Sequence, residues 1–302
     1  MKNGRGAFRL FQAFGITVWL HWSWFLALAY GFEVRKGVYQ SPGWIIAEVI
    51  AMFCIVLLHE FGHSLACKQT GGLADEIVLW PLGGVAFVQP PNRPGAVLWS
   101  IAAGPLVNVI LVPILFGAWF AVDRAGLSYY HPDFLHFLLR IAKINLVILI
   151  FNMLPIYPLD GGQILRSLLW FVIGPVRSLY VVVGIGFLGA MGMGFLALKS
   201  WDMWFGLIAL FAASRCWAGF QQAKVLGKIE AMPRHKGYKC PSCGEPPFQG
   251  GFWTCNRCMK PFDAFASSAR CPQCDQEFPT TTCPACRASN PLAAWRIGPP
   301  PL

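Results

Sequence analysis

The chain has 302 residues, of which 56% are hydrophobic and only 13% charged. A disordered chain needs the reverse balance, and a soluble enzyme needs polar surface to cover its apolar interior, so composition excludes both and leaves the membrane class. The basic surplus, 24 − 14 = +10, suits an anionic leaflet and does not by itself indicate nucleic acid.

Charge is spread along the chain, but cysteine is not. Cys54, Cys67 and Cys216 are scattered, whereas the other eight of the eleven cysteines lie between 240 and 286 as C-x-x-C pairs. The sequence therefore divides into an apolar body (1–222), a basic linker (223–236), a Cys-rich module (237–290) and a loose Pro-rich tail (291–302).

Apolar runs approaching or exceeding 18 residues predict about six membrane spans. In chain order they are Thr17–Phe32, Trp44–Cys67, Ala96–Val122, Phe134–Leu154, Val176–Leu198 and Trp201–Phe220. Residues 72–90 are β-branched, aromatic and broken by Pro81, Gly83 and Gly84, which predicts a strand pair between the second and third spans. Residues 160–174 place Ile164, Leu165, Leu168, Leu169 and Val172 on one face, the pattern of an amphipathic helix in the interface. The fold class is thus mainly α: a polytopic membrane protein with a small membrane-associated sheet and a C-terminal β module. Six spans put both termini on one side. The Lys and Arg flanking that side place the N and C termini in the cytoplasm. Arg140, Lys143 and Glu48 fall near the ends of their spans, where the cations can snorkel and the carboxylate can pair with one of them.

The second span carries His59-Glu60-Phe61-Gly62-His63. Residues four apart share a helix face, so His59 and His63 can present two imidazoles to one Zn²⁺ with Glu60 beside it. Ionisable groups inside an apolar span are costly and mark function by default. A catalytic zinc takes three protein ligands and keeps one position open. Asp160 is the candidate for the third, in Asn152-x-x-Pro155-x-x-Pro158-Leu159-Asp160-Gly161, where two prolines break the fourth span. Irregular backbone at membrane depth persists only where it lines protein or a water-filled cavity.

These motifs, with Gly104-Pro105-x-x-Asn108 and the Pro81-Leu82-Gly83-Gly84 stretch, resemble the site-2 protease family of intramembrane zinc metalloproteases over about residues 10–200. The resemblance implies zinc bound by His59, His63 and Asp160. It implies peptide-bond hydrolysis in transmembrane substrate proteins by a zinc-activated water, with Glu60 as general base. It assigns Asn108 and Asn152 to substrate or transition-state contacts. The 72–90 strands, with Gly83 and Gly84 allowing close backbone approach, are expected to hold an unwound substrate stretch by strand addition.

The knuckles Cys240/Cys243, Cys255/Cys258, Cys271/Cys274 and Cys283/Cys286 imply two structural Cys₄ zinc sites and resemble a double zinc ribbon. A cytoplasmic location disfavours disulfides. Sequential pairing is the simpler arrangement, and an interleaved one is open. The expected zinc content is therefore three: one catalytic ion and two structural. A surplus of +4 over residues 234–302 is weak support for nucleic acid, so the expected partners are a transmembrane substrate, the lipid bilayer and a protein bound by the ribbons. The alternative function is a proteolytically inactive zinc-binding membrane scaffold acting through those ribbons.

Overall fold

The computed structural model describes residues 6–80, 83–127, 129–201, 203–284, 286 and 288–297. Pro81 and Leu82 lie outside the described residues. The chain separates into two compact units, 1–221 and 222–302.

The first unit opens with two strands that the apolar-run reading missed. β1 (Ala7–Ala13) and β2 (Ile16–His21) form an antiparallel hairpin. α1 (Trp24–Val34) and α2 (Gly43–Gln69) follow, and then β3 (Leu73–Trp80) and β4 (Gly83–Gln89). The sheet order is β1-β2-β3-β4, with β2 parallel to β3 and β3 antiparallel to β4. The strand pair expected within 72–90 is thus the inner and edge half of a four-stranded mixed sheet. Its fully buried Ile16, Val18, Ile77 and Leu79 pack against Trp24 and Val49 of the helices, which fixes the sheet onto α2.

α3 (Pro94–Arg124) contains Pro105 and Pro113, and α4 (Pro132–Asn152) ends at the Pro-rich segment. α5 (Asp160–Ile173) is the expected amphipathic helix. Its covered side is made of small residues, Gly161, Gly162 and Ser167, while Leu168, Phe171 and Val172 are exposed. α6 (Pro175–Ser200) and α7 (Met203–Glu230) complete the helices.

Among the described residues, α2, α3, α4 and α6 are long and apolar enough to cross a membrane. The count of six is corrected at its first member. Residues 16–21 are strand, and the 11 residues of α1 rise only about 16 Å, roughly half the hydrocarbon thickness. α7 begins where the sixth run was expected but continues to Glu230, so most of the expected linker is helix.

The second unit is a module of short strands: β5 (Trp253–Thr254) with β6 (Pro261–Phe262), and β7 (Thr280–Thr282) with β8 (Ser289–Pro291). Its order begins before residue 237. Arg234 pairs with Glu245 at 2.8 Å, and His235 Nε2 lies 2.9 Å from Asp263. Asp263 also accepts the backbone N–H groups of Gly250, Phe265 and Ala266. Burial alone would raise its carboxyl pKa, but these bonds outweigh it and hold the group below the ordinary carboxylate value.

Residues 291–297, expected as tail, belong to the module. A 3₁₀ turn over Leu292–Trp295 buries Trp295 completely against Cys240, Cys255, Phe265, Cys271 and Cys283. The Lys239 N–H donates to the Trp295 carbonyl and the Ile297 N–H to that of Gly237. An apolar indole at 295 supplies the core that a loose tail would lack.

Candidate functional site

α2 sets His59 and His63 one turn apart, with ring centroids 4.7 Å from each other. Their Nε2 atoms are 3.1 Å apart, and Asp160 Oδ2 lies 3.1 Å from the first and 3.5 Å from the second. Both rings are buried, and Asp160 is nearly so. Asp160 reaches them because α5 starts at this residue, and Gly161 permits the approach. A Cβ there would overlap the carbonyls of Met153 and Leu154.

The outer ring nitrogens determine what these atoms can bind. His63 Nδ1 lies 2.9 Å from the Ser100 carbonyl, which can only accept, so His63 Nδ1 carries the proton. His59 Nδ1 lies 2.6 Å from Asn108 Oδ1. The Asn108 amide donates Nδ2–H to Asn145 Oδ1 at 2.7 Å, and Asn145 returns a bond to the Asn108 carbonyl at 3.0 Å. That fixes Asn108 Oδ1 as the acceptor and His59 Nδ1 as the donor. Neutral imidazoles so held turn both Nε2 lone pairs inward, where they meet a carboxylate oxygen. Three acceptors within 3.5 Å of one another repel unless a cation lies among them. A tetrahedral ion with bonds of about 2.0–2.1 Å sets its ligands about 3.3 Å apart, so the residues present fit Zn²⁺.

Glu60 occupies the neighbouring position on α2, 6% exposed, and Oε2 accepts the Ala86 N–H at 2.9 Å. Ala86 belongs to β4, the edge strand. Gly84 makes the approach possible, because a Cβ there would overlap the Glu60 carboxyl. Gly104 has the same relation to His63: its missing side chain is the space filled by the imidazole. This is a packing reason for the Gly104-Pro105 motif.

The remaining expected site residues separate. Asn108 is fully buried and its amide is committed to His59 and Asn145, so it stands behind His59 and is not placed to face a substrate. Asn152 closes α4, half-buried, with its side chain in no hydrogen bond among the described residues. Gly83 opens β4 opposite Trp80. Sequence reasoning missed Asn145. A single amide in the apolar run of α4 was the available signal, since such a group needs a partner.

In the module, the sulfurs of Cys240, Cys243, Cys283 and Cys286 form one cluster, and those of Cys255, Cys258, Cys271 and Cys274 another. Cross-knuckle S···S distances are 3.5–3.7 Å. Zn–S bonds of about 2.3 Å in a tetrahedron give about 3.8 Å, so both clusters fit zinc. The pairing is nested, which corrects the sequential arrangement. The bonds joining 237–239 to 295–297 return the chain end to the module's start and bring the fourth knuckle to the first.

The model of peptidase family M50 matches residues 47–129 and 127–193. A zinc metalloprotease of Methanocaldococcus jannaschii is 32% identical over 228 residues, covering 74% of this chain and 62% of the relative. Stage IV sporulation protein FB of Bacillus subtilis is 32% identical over 133 residues, covering 42% and 43%. The solved site-2 protease from Methanocaldococcus jannaschii superposes with a TM-score of 0.51 at 28% identity, covering 70% of this chain and 94% of that one. The chain spans about six-tenths of the length of the first two curated relatives it matches. The family model covers both α2 with its two imidazoles and the Asp160 segment, and over this stretch the chain is similar to peptidase family M50 and to the solved site-2 protease.

Proposed function

We propose that the protein is an intramembrane zinc metalloprotease that hydrolyses peptide bonds of transmembrane substrate proteins. The observation that carries this reading is the convergence of His59, His63 and Asp160 on one point beside the Glu60 carboxylate. Those three residues would hold the ion. When bound, it supplies Lewis acidity toward a carbonyl and toward water.

The chain's own groups account for the rest. Asn108, backed by Asn145, keeps His59 in the tautomer that offers Nε2. The Ser100 carbonyl does the same for His63. Glu60 serves as general base, taking a proton at Oε and returning it to the leaving amine. The packed α2, α3 and α4 exclude bulk water, which strengthens each of these interactions. A substrate stretch unwound from its helix adds to the free edge of β4. In the resting arrangement the Ala86 N–H on that edge is taken by Glu60, so a strand pairing there displaces the carboxylate and frees it for proton transfer. Asn152 remains a candidate for substrate contact, and Gly83 for close approach.

The module is proposed to bind two structural zinc ions and a protein partner, giving three zinc ions per chain. The 11-residue α1 is too short to count as a span, so the six-span parity that put both termini in the cytoplasm does not hold.

The reading is tested by placing the protein in liposomes with a tagged single-span membrane protein and mapping any new termini by mass spectrometry. Termini within the apolar segment, lost with Glu60→Gln, are expected. Cuts only in soluble segments would contradict an intramembrane protease. No product from a panel of single-span proteins would favour the scaffold.

A further inference from the structure

At the end of α2 remote from the imidazoles, a cavity of about 270 Å³ is lined by Arg35, Glu48, Arg140, Lys143 and Ile144. Glu48 is 1% exposed and lies 2.8 Å from Arg35 Nε and 3.5 Å from Arg140 Nη1, and it accepts the Tyr39 hydroxyl at 2.8 Å. One carboxylate is thus paired with two of the three cations that line the cavity, leaving it with a formal surplus of two positive charges. Asp133, at the start of α4, is committed to the backbone N–H groups of Gln40 and Ser41. Lys143 makes no ion pair or hydrogen bond among the described residues.

Position makes this surplus costly. Arg140 and Lys143 lie about 12 and 17 Å along α4 from its first residue, inside a helix apolar enough to span a membrane. An ionisable group at that depth calls for a partner. Snorkelling toward the start of α4 already brings the Arg140 guanidinium to Glu48, which lies only about 8 Å along α2 from the same end. Lys143, nearly a turn deeper, meets no such carboxylate among the described residues. Four, seven and eight residues beyond Lys143 stand Val147, Ile150 and Phe151, all exposed. At helical spacing they continue the Lys143 face. α4 thus presents two cations followed by an apolar stripe.

We infer that this cavity binds the phosphate-bearing head group of an anionic membrane lipid, with an acyl chain lying along Val147, Ile150 and Phe151. A phosphate offers several acceptor oxygens to Arg and Lys donors. The cavity is smaller than the usual pocket for a drug-sized ligand and suits a head group. Free phosphate shares the ionic chemistry but makes no use of the apolar stripe. The inference does not depend on the protease reading.

The test uses the full-length protein, purified in detergent and stripped of lipid, with its thermal unfolding followed during titration. The probes are phosphatidylglycerol, phosphatidylcholine of the same chain length, and inorganic phosphate. Phosphatidylglycerol is expected to stabilise saturably, with an apparent affinity at least about tenfold above phosphatidylcholine. Lys143→Gln should weaken phosphatidylglycerol about tenfold, and Lys143→Arg should retain it. Val147→Asn should weaken the lipid while leaving any phosphate response unchanged. Equal stabilisation by the two lipids, or unchanged phosphatidylglycerol affinity in Lys143→Gln, would overturn the proposal. A response to inorganic phosphate as strong as to phosphatidylglycerol would overturn the lipid assignment in favour of a free-phosphate site.

Discussion

The candidate metal centres of the membrane body and of the cysteine module bring together different sets of side chains. The module gives each cluster four sulfurs, a closed shell that suits structure. The membrane site brings two imidazoles and one carboxylate together, with the Glu60 carboxyl in the neighbouring position on α2. On the proposed reading, three ligands and an adjacent base would leave one coordination position for chemistry. The surroundings differ as well. The two membrane imidazoles are oriented from behind by Asn108, Asn145 and the Ser100 carbonyl, as a proposed site with an open position would require. The module has a small core of Phe262, Phe265 and Trp295 and, with the two proposed zinc ions, would draw much of its stability from metal.

The contrast breaks most completely if a membrane ligand is removed. Asp160→Ala or His59→Ala should abolish cleavage and lower the zinc content from three ions to two, with membrane insertion unchanged. Retention of three ions would sink the ligand assignment.

The nested pairing gives the next largest effect. Replacing Cys240, Cys243, Cys283 and Cys286 together with Ser should remove one zinc and leave the inner cluster loaded. Under sequential pairing the same four changes would disable both sites, so loss of two ions from the variant would contradict the nesting.

A smaller effect sharpens the membrane side. Asn108→Ala should weaken metal binding by about 10–100-fold, measured by competition with a zinc chelator, while the module's ions are unaffected. Equal chelator resistance in wild type and variant would remove Asn108 from its positioning role. The smallest expected change lies in the module. Asp263→Ala strips the acceptor from three backbone N–H groups and His235, and should destabilise the unit by about 1–3 kcal/mol without altering zinc stoichiometry. An unchanged melting temperature would count against that account.

Much of the membrane site was legible because its signals are local. Two His four residues apart on one helix, and a Pro-broken span ending in Asp-Gly, need no tertiary knowledge to stand out. The first strands were not legible. Ile-Thr-Val-Trp-Leu-His has no charge and runs straight into the apolar α1, so hydropathy merges strand and helix into one short span. The partner of β2 is β3, separated in sequence by two helices, and no local pattern announces that pairing. Asn145 matters only through Asn108, a contact across 37 residues. The order of the knuckles depends on Trp295 and the strand-like contacts of residues 295–297, which a Pro-rich ending disguised as tail.

The central claim is that Glu60 acts on the reaction while His59, His63 and Asp160 hold the ion. The most direct measurement takes purified wild type and Glu60→Gln and determines, on the same samples, zinc content and cleavage of a single-span substrate in liposomes. The account predicts three zinc ions in both proteins and a cleavage product from wild type alone. Cleavage by Glu60→Gln at the wild-type rate, or loss of one of its three ions, would contradict it.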